Sequence, residues 1–306
     1  MPEMLALVDL GSNAVRFVLA RVTPGRGFRL LRESRAQTRL AAGRGRRLAA
    51  RSVQATVEAT RRFLRDAGQG RPLRVLAVAT AAVRDADNAH RLAEAMRRVA
   101  GVDIEVLDWK EEARLGAAAA VASLPARDAL VVDLGGGSLQ VTRVRDDAIT
   151  PLACAPLGAV RATRQYLRHD PPAPTEIGAL RRHVRQELDG IASGLGRDTV
   201  LIGLGGTARS LGRMYLRARR RRRALHGLRL DRETVGALCG RLQAMPLRRR
   251  ARVEGLRRER ADVIVAGAVV LDELMSVTGR PALTVCERGV RHGLLLRETF
   301  GLEGKA

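Results

Sequence analysis

Aromatic side chains are scarce, at 2% of the 306 residues. The cores must therefore be built from Leu, Val, Ala and Ile. A base-stacking mode of single-strand nucleic-acid binding is disfavoured for the same reason. Lysine occurs only at Lys110 and Lys305, so the positive charge is almost entirely arginine. Three cysteines, Cys154, Cys239 and Cys286, stand far apart without metal-ligand spacing. They exclude a disulfide framework and a zinc site, and the expectation is reduced thiols in the cytoplasm. The start, Met1-Pro2-Glu3-Met4, lacks a basic segment followed by an apolar one, so no signal peptide is expected. The longest apolar stretch, Val263 to Val277, is broken by Asp272 and Glu273 and predicts no membrane span. A GxxxxGK[ST] phosphate loop is absent.

What is present is a chain long enough for two domains, with 46% hydrophobic residues. The formal net charge of +23 calls for a polyanionic partner. Coding bias can exchange lysine for arginine, but it does not create the excess. Specific nucleic-acid binding is not expected, and a homodimer is left open.

The most informative stretch runs from Ala129 to Thr142. An apolar run rich in β-branched residues ends in Asp133; Gly135, Gly136, Gly137 and Ser138 follow, and then a returning strand. Consecutive glycines expose backbone N–H groups that can cradle an anion. A carboxylate beside a phosphate cradle needs a cation between them, so Mg²⁺ or another divalent ion is expected. The unit recurs at Leu5–Asn13, with Asp9, Gly11, Ser12 and Asn13. Two copies predict two related halves facing a shared cleft. Arg16, just past the first turn, suits a phosphate oxygen pair, although a solvated strand arginine explains the spacing equally well.

Along the chain, the spacing predicts a β-meander over 4–33, a helix over 49–67 and a strand over 73–80. Arg84 lies where that strand meets a helix running to about 99, a common ligand-facing edge. Glu111 and Glu112 open a helix to about 121. The helix dipole favours acids there, and the rival reading is a general base. A helix is predicted from Thr175 to about Leu195. Gly205, Gly206 and Thr207 form a third phosphate-type loop at a helix start. The run Arg217–Arg223 reads as a solvated helix end with added polyanion attraction. Two helices are predicted over 230–256, and the apolar helix 260–277 is expected to be central.

Several of these segments come in the order found in one family. They are Asp9-Leu-Gly-Ser-Asn13, Ala79-Thr80 through Asn88, Glu111-Glu112-Ala-Arg-Leu115, Asp133-Leu-Gly-Gly-Gly-Ser138, Leu157-Gly-Ala159, Gly205-Gly-Thr207, Arg260 to Gly267 and Gly289-x-Arg291-x-Gly293. Together they resemble the exopolyphosphatase / guanosine pentaphosphate phosphohydrolase (Ppx/GppA) family in its short two-domain form. The resemblance implies an α/β actin-like ATPase (ribonuclease H-like) fold. It has two lobes, each with a mixed sheet flanked by helices, and the active-site cleft between them. Residues 1–120 would form the N-terminal lobe and 121–306 the C-terminal lobe, with the last helix free to pack back on the first.

The implied activity is hydrolysis of a terminal phosphoanhydride, as exopolyphosphatase or guanosine-5'-triphosphate,3'-diphosphate phosphatase. Glu112 matches the family's general base. Asp133, with Asp9, would hold Mg²⁺; the Gly135–Ser138 turn would cradle phosphate; Arg16 and Arg84 would neutralise its charge. This chain departs from the family at Gln140, where the pattern Ser-Thr-Glu becomes Ser138-Leu139-Gln140. Ala14 and Ala81 replace serines, and His292 replaces a glutamate. These losses motivate an alternative: a catalytically weak protein that binds polyphosphate or an alarmone.

Overall fold

A computed structural model describes residues 2–43, 45–68 and 73–301. The chain divides into two compact units, Met1–Leu115 with Val290–Ala306, and Gly116–Gly289.

The first unit opens with a meander: β1 (Glu3–Leu10), β2 (Ala14–Thr23) and β3 (Gly27–Gln37). Helix α1 (Ala50–Ala67) follows, then β4 (Arg74–Ala79), the short α2 (Ala81–Arg84), α3 (Ala89–Ala100), β5 (Ile104–Val106) and the start of α4 (Trp109–Ser123). The sheet order is β3-β2-β1-β4-β5, antiparallel across the meander and parallel from β1 through β4 to β5. Strand β1 is central, and its alternation serves two cores. Ala6, Val8 and Leu10 pack with residues of α1 and α3, whereas Leu5 and Leu7 pack with Leu115, Leu294 and Leu295. Asp9 has the parity of Leu5 and Leu7, so it emerges on the second face.

The second unit repeats the plan. Strands β6 (Asp128–Leu134), β7 (Leu139–Arg145) and β8 (Ala148–Ala155) form an antiparallel meander. Then come α5 (Ala159–Tyr166), α6 (Pro174–Glu187), β9 (Val200–Leu204), α7 (Gly205–Ala218), β10 (Leu228–Asp231), α8 (Arg232–Gln243), the short α9 (Leu247–Arg250), α10 (Ile264–Val277) and β11 (Ala282–Val285). The sheet order is β10-β11-β9-β6-β7-β8, with β6 parallel to β9 as β1 is to β4. Helix α10 is buried along nearly its whole length and packs against α5, α6, α7 and α8. Each large apolar side chain it buries contributes about 1.5–3 kcal/mol. The last helix, α11 (Val290–Phe300), belongs to the first unit, where it packs on β2 and β3.

Two expectations fail. The helix predicted to about Leu195 stops at Glu187, and turns with Gly190 and Gly194 at φ +75° replace its last two turns. Leu228–Asp231, read partly as helix, is a strand paired with β11, and Asp231 then caps α8 through Thr234 N–H at 2.7 Å. Tertiary pairing overrides local pattern there.

Helix α6 carries a pH-dependent cap. Glu176 accepts from the N–H groups of Ala173 and Arg168, both at 2.9 Å, and His169 Nδ1 lies 2.9 Å away. Desolvation opposes ionisation, but these bonds prevail and pull the carboxyl from 4.5 to about 2. The folded value lies below the unfolded one. The stabilisation is therefore full above pH 4.5 and fades as pH falls towards 2. Between those limits the melting temperature of the wild type is expected to fall more steeply than that of Glu176→Gln. Parallel curves in thermal scans would show that the cap contributes nothing.

Candidate active site

In the first unit, the β1–β2 register places Asp9 opposite Arg16, on one face of the sheet. Asp9 is buried, and its Oδ2 lies 3.4 Å from Arg16 Nη1 and 3.8 Å from Arg291 Nε. Arg291 also reaches Glu33 at 3.4 Å. Burial, and next the charge of Arg16, push the Arg291 guanidinium below the usual arginine value. Positive charge is thus crowded around one carboxylate. The turn is tied from behind: Gly11 N–H donates to Ala14 O, and the carbonyls of Ser12 and Asn13 accept from Ala41 and Arg39. Among the described residues, the N–H groups of Ser12 and Asn13 meet no acceptor, and Asn13 Nδ2 is buried without one.

Glu112 sits in the first turn of α4, 9% exposed, with Oε2 2.9 Å from Arg84 Nη1. Arg84 also donates to the Leu107 carbonyl at 2.9 Å, so it is fixed at two points. Neighbouring Glu111 points elsewhere, to Arg297 at 2.6 Å. The two acids are therefore not equivalent: one braces α11 and the other is enclosed. Asp108 caps the helix by accepting from Lys110 and Glu111 N–H at 2.7 and 3.1 Å.

In the second unit, Asp133 stands opposite Gln140 in the β6–β7 register, the same relation that joins Asp9 to Arg16. Gly135 N–H donates to Ser138 O at 3.0 Å. The carbonyls of Gly135 and Gly136 accept from Ala159, Val160 and Arg161 N–H at the start of α5, at 3.0–3.1 Å. A Cβ on Gly158 would overlap the backbone of Gly136 and Gly137, so glycine alone permits this close seat. With its carbonyls held from behind, the turn leaves the N–H groups of Gly136, Gly137 and Ser138 without a protein acceptor among the described residues. That is the wiring of an anion nest.

Gly205 bridges to Leu134 at φ +88°, and an added Cβ would lie 3.0 Å from Asp133 Oδ1. Gly206 lies under the Arg260 guanidinium. Thr207 is fully buried, and its Oγ1 accepts from Arg260 Nη2 at 3.3 Å. Its hydroxyl is thus turned towards Arg260 within the second unit. Gln140 is 3% exposed, and its Nε2 has no partner.

Sequence reasoning gave no role to Arg291, Gly158, Asp108 or Arg260. Arg291 and Gly158 lie inside motifs already singled out, and Asp108 is a standard helix-capping residue before Glu111-Glu112. Among the described residues no group of three His, Cys, Asp or Glu side chains could hold a metal. The donors are single carboxylates, Asp9 and Asp133, beside open N–H groups. Each of them, taken within its own unit, suits a magnesium-type ion that brings phosphate oxygens with it, not one caged by protein. Of the two, Asp9 shares its oxygen with two guanidiniums, those of Arg16 and Arg291.

A model of the Ppx/GppA phosphatase family matches residues 18–300. An uncharacterised protein of Streptomyces coelicolor is 32% identical over 304 residues, covering 95% of this chain and 89% of its own length. Exopolyphosphatase 1 of Mycobacterium tuberculosis is 30% identical over 308 residues, covering 96% and 88%. The crystal structure of the Aquifex aeolicus family member superposes with a TM-score of 0.79 at 25% identity, over 97% of this chain and 98% of that one. An exopolyphosphatase from Cytophaga hutchinsonii superposes with a TM-score of 0.91 at 22% identity, over 98% and 99%, and shows the shared fold. The α/β fold of actin-like type, with two mixed sheets flanked by helices, is thus the one expected from sequence.

Proposed function

Because this chain belongs to the Ppx/GppA phosphatase family, we propose that it releases terminal phosphate from inorganic polyphosphate or guanosine pentaphosphate. Exopolyphosphatase activity is the reading that the named relatives support. The observation that carries it is the contrast between Glu111 and Glu112. Both are held by anchored arginines, but only Glu112 is buried, against Arg84 and the Leu107 carbonyl that fixes it.

In this reading Glu112 takes a proton from water as the water attacks the terminal phosphorus in line. Arg84 keeps the carboxylate oriented and supplies positive charge nearby. The open N–H groups of Gly136, Gly137 and Ser138 receive phosphoryl oxygens, where fixed donors act most strongly on developing charge. Ser12, Asn13 and Arg16 serve phosphate in the same way from the first turn. Asp133, and Asp9 with it, would hold Mg²⁺, which when bound neutralises charge on the transferring phosphoryl group. The chain's three cysteines, far apart in sequence, support a reducing compartment, the cytoplasm; separately, among the described residues no helix is long and apolar enough to cross a membrane. The test is phosphate release from both substrates side by side, with and without Mg²⁺. No release above background from either would sink the proposal.

A second reading rests on Gln140. A buried amide with an orphan N–H stands where the family pattern has glutamate, and an amide neither takes a proton nor binds Mg²⁺ well. The alternative is a slow enzyme that mainly binds polyphosphate or an alarmone. Gln140→Glu is then expected to raise the hydrolysis rate on the order of tenfold or more. It also places two carboxylates side by side, so in EDTA the variant should unfold earlier by about 1–3 kcal/mol. Mg²⁺ should restore that loss. Brisk turnover by the wild type would remove this reading.

A further inference from the structure

Beyond the reacting groups, the second unit carries a strongly basic cavity. A pocket of about 600 Å³ is lined by six arginines between Arg213 and Arg223, with Leu216 and Leu225, and by only two acids, Glu254 and Glu287. The guanidiniums of Arg217, Arg220, Arg221, Arg222 and Arg223 make no hydrogen bond or ion pair with any described residue. A second pocket of about 340 Å³ shares Glu254 and adds Arg241, Arg249 and Arg252, whose side chains are likewise without protein partners among the described residues. Six arginines against two acids leave a net repulsion, and the fold holds them together nonetheless.

The gathering has a backbone cause. Arg220 adopts φ +48°, a left-handed conformation that is strained for any residue with a Cβ. Arg221 N–H then donates back to Leu216 O at 2.9 Å. The chain folds back at the end of α7, which puts Arg221–Arg223 beside Arg213 and Arg217 instead of leading them into solvent. On the far wall, a Cβ on Gly255 (φ +84°) would sit 2.7 Å from the Arg213 backbone, so the Glu254–Gly255 turn is pressed against α7. The helix dipole accounts for Arg217. It does not account for Arg221–Arg223, which lie past the helix.

We infer that these two adjoining pockets form an exosite for a condensed phosphate chain, built from arginines other than those proposed to meet the reacting phosphoryl group. Two pockets meeting at one residue suit an extended ligand better than a single ion. No aromatic side chain lines either, so nothing there would stack a base. Guanidiniums bind phosphate oxygens in pairs. This inference rests on the polyphosphate reading above, and it makes long chains better ligands than short ones.

The test uses the full chain with Arg220, Arg222 and Arg223 all changed to alanine. Binding of long-chain polyphosphate is measured as a function of salt in the Glu112→Gln background, so that the ligand survives. The triple variant is expected to bind at least tenfold more weakly at low salt. The slope of log affinity against log salt should shrink by about two, at roughly 0.7 per lost contact. KM for long chains should rise, while kcat and tripolyphosphate hydrolysis stay unchanged. Glu254→Gln should tighten binding instead. Unchanged affinity and slope would overturn the exosite, as would single-stranded RNA competing on equal terms. Binding without hydrolysis in the parent protein would instead remove the proposed function and leave the exosite standing.

Discussion

Glu112→Gln is expected to lower kcat for phosphate release by roughly 10²–10⁴-fold while KM changes little. The substitution keeps shape and hydrogen-bonding reach but removes the capacity to accept a proton. Arg84 would still meet an oxygen at the same position, so the loss is chemical and not one of folding. Glu111→Gln is the matched control. It disturbs the 2.6 Å ion pair with Arg297, and partly exposed pairs of this kind contribute about 0–1 kcal/mol. Its kcat should stay within about threefold of wild type. Equal losses in both variants, with melting temperatures unchanged, would remove Glu112 from its role. Phosphate release by single-turnover and steady-state assays makes the comparison.

Gly205→Ala is expected to destabilise the second unit by about 2–5 kcal/mol. The left-handed conformation at φ +88° costs a residue with a Cβ about 1–2 kcal/mol. Overlap with the Leu134 carbonyl adds about 1–3 kcal/mol of overpacking. Gly190→Ala separates the two causes. Its φ is +75°, but nothing lies within 4 Å of an added Cβ, so only the strain applies. The displaced methyl of Gly205→Ala also presses on Asp133, so the surviving folded protein should need more Mg²⁺ for half-maximal rate. Thermal unfolding of both variants and a Mg²⁺ titration check this. Equal melting temperatures for the two would show that the contact with Leu134 is unimportant.

Much of this was legible before any coordinates. Strand alternation located the first meander and the hairpin around Asp133, because period-2 burial leaves a strong mark in sequence. The acid pair at 111–112 was visible, and the family resemblance singled out Glu112; the residues alone did not separate the two, because their different surroundings depend on Arg84 and Arg297, which are distant in sequence from the pair. The extra length predicted for α6 came from helix-forming composition that Gly190 and Gly194 interrupt. Strand β10 was missed because four residues gain their pairing only from β11. Thr207 was read as a phosphate ligand from its place in a loop. Its contact with Arg260, in the turn before α10, joins residues 53 apart in the chain. The arginine run was read as solvated, and only the backward turn at Arg220 makes it concave.

The glycine turns have their carbonyls fastened from behind, by Arg39 and Ala41 in one unit and by the start of α5 in the other. In the proposed reading, the donors that these two turns offer a ligand are main-chain groups that no codon change can trim away. Scanning Ser12, Asn13 or Ser138 to alanine would leave those donors in place and read as nearly silent. The vulnerable positions are the props: a bulkier residue at 158 would unseat the whole loop.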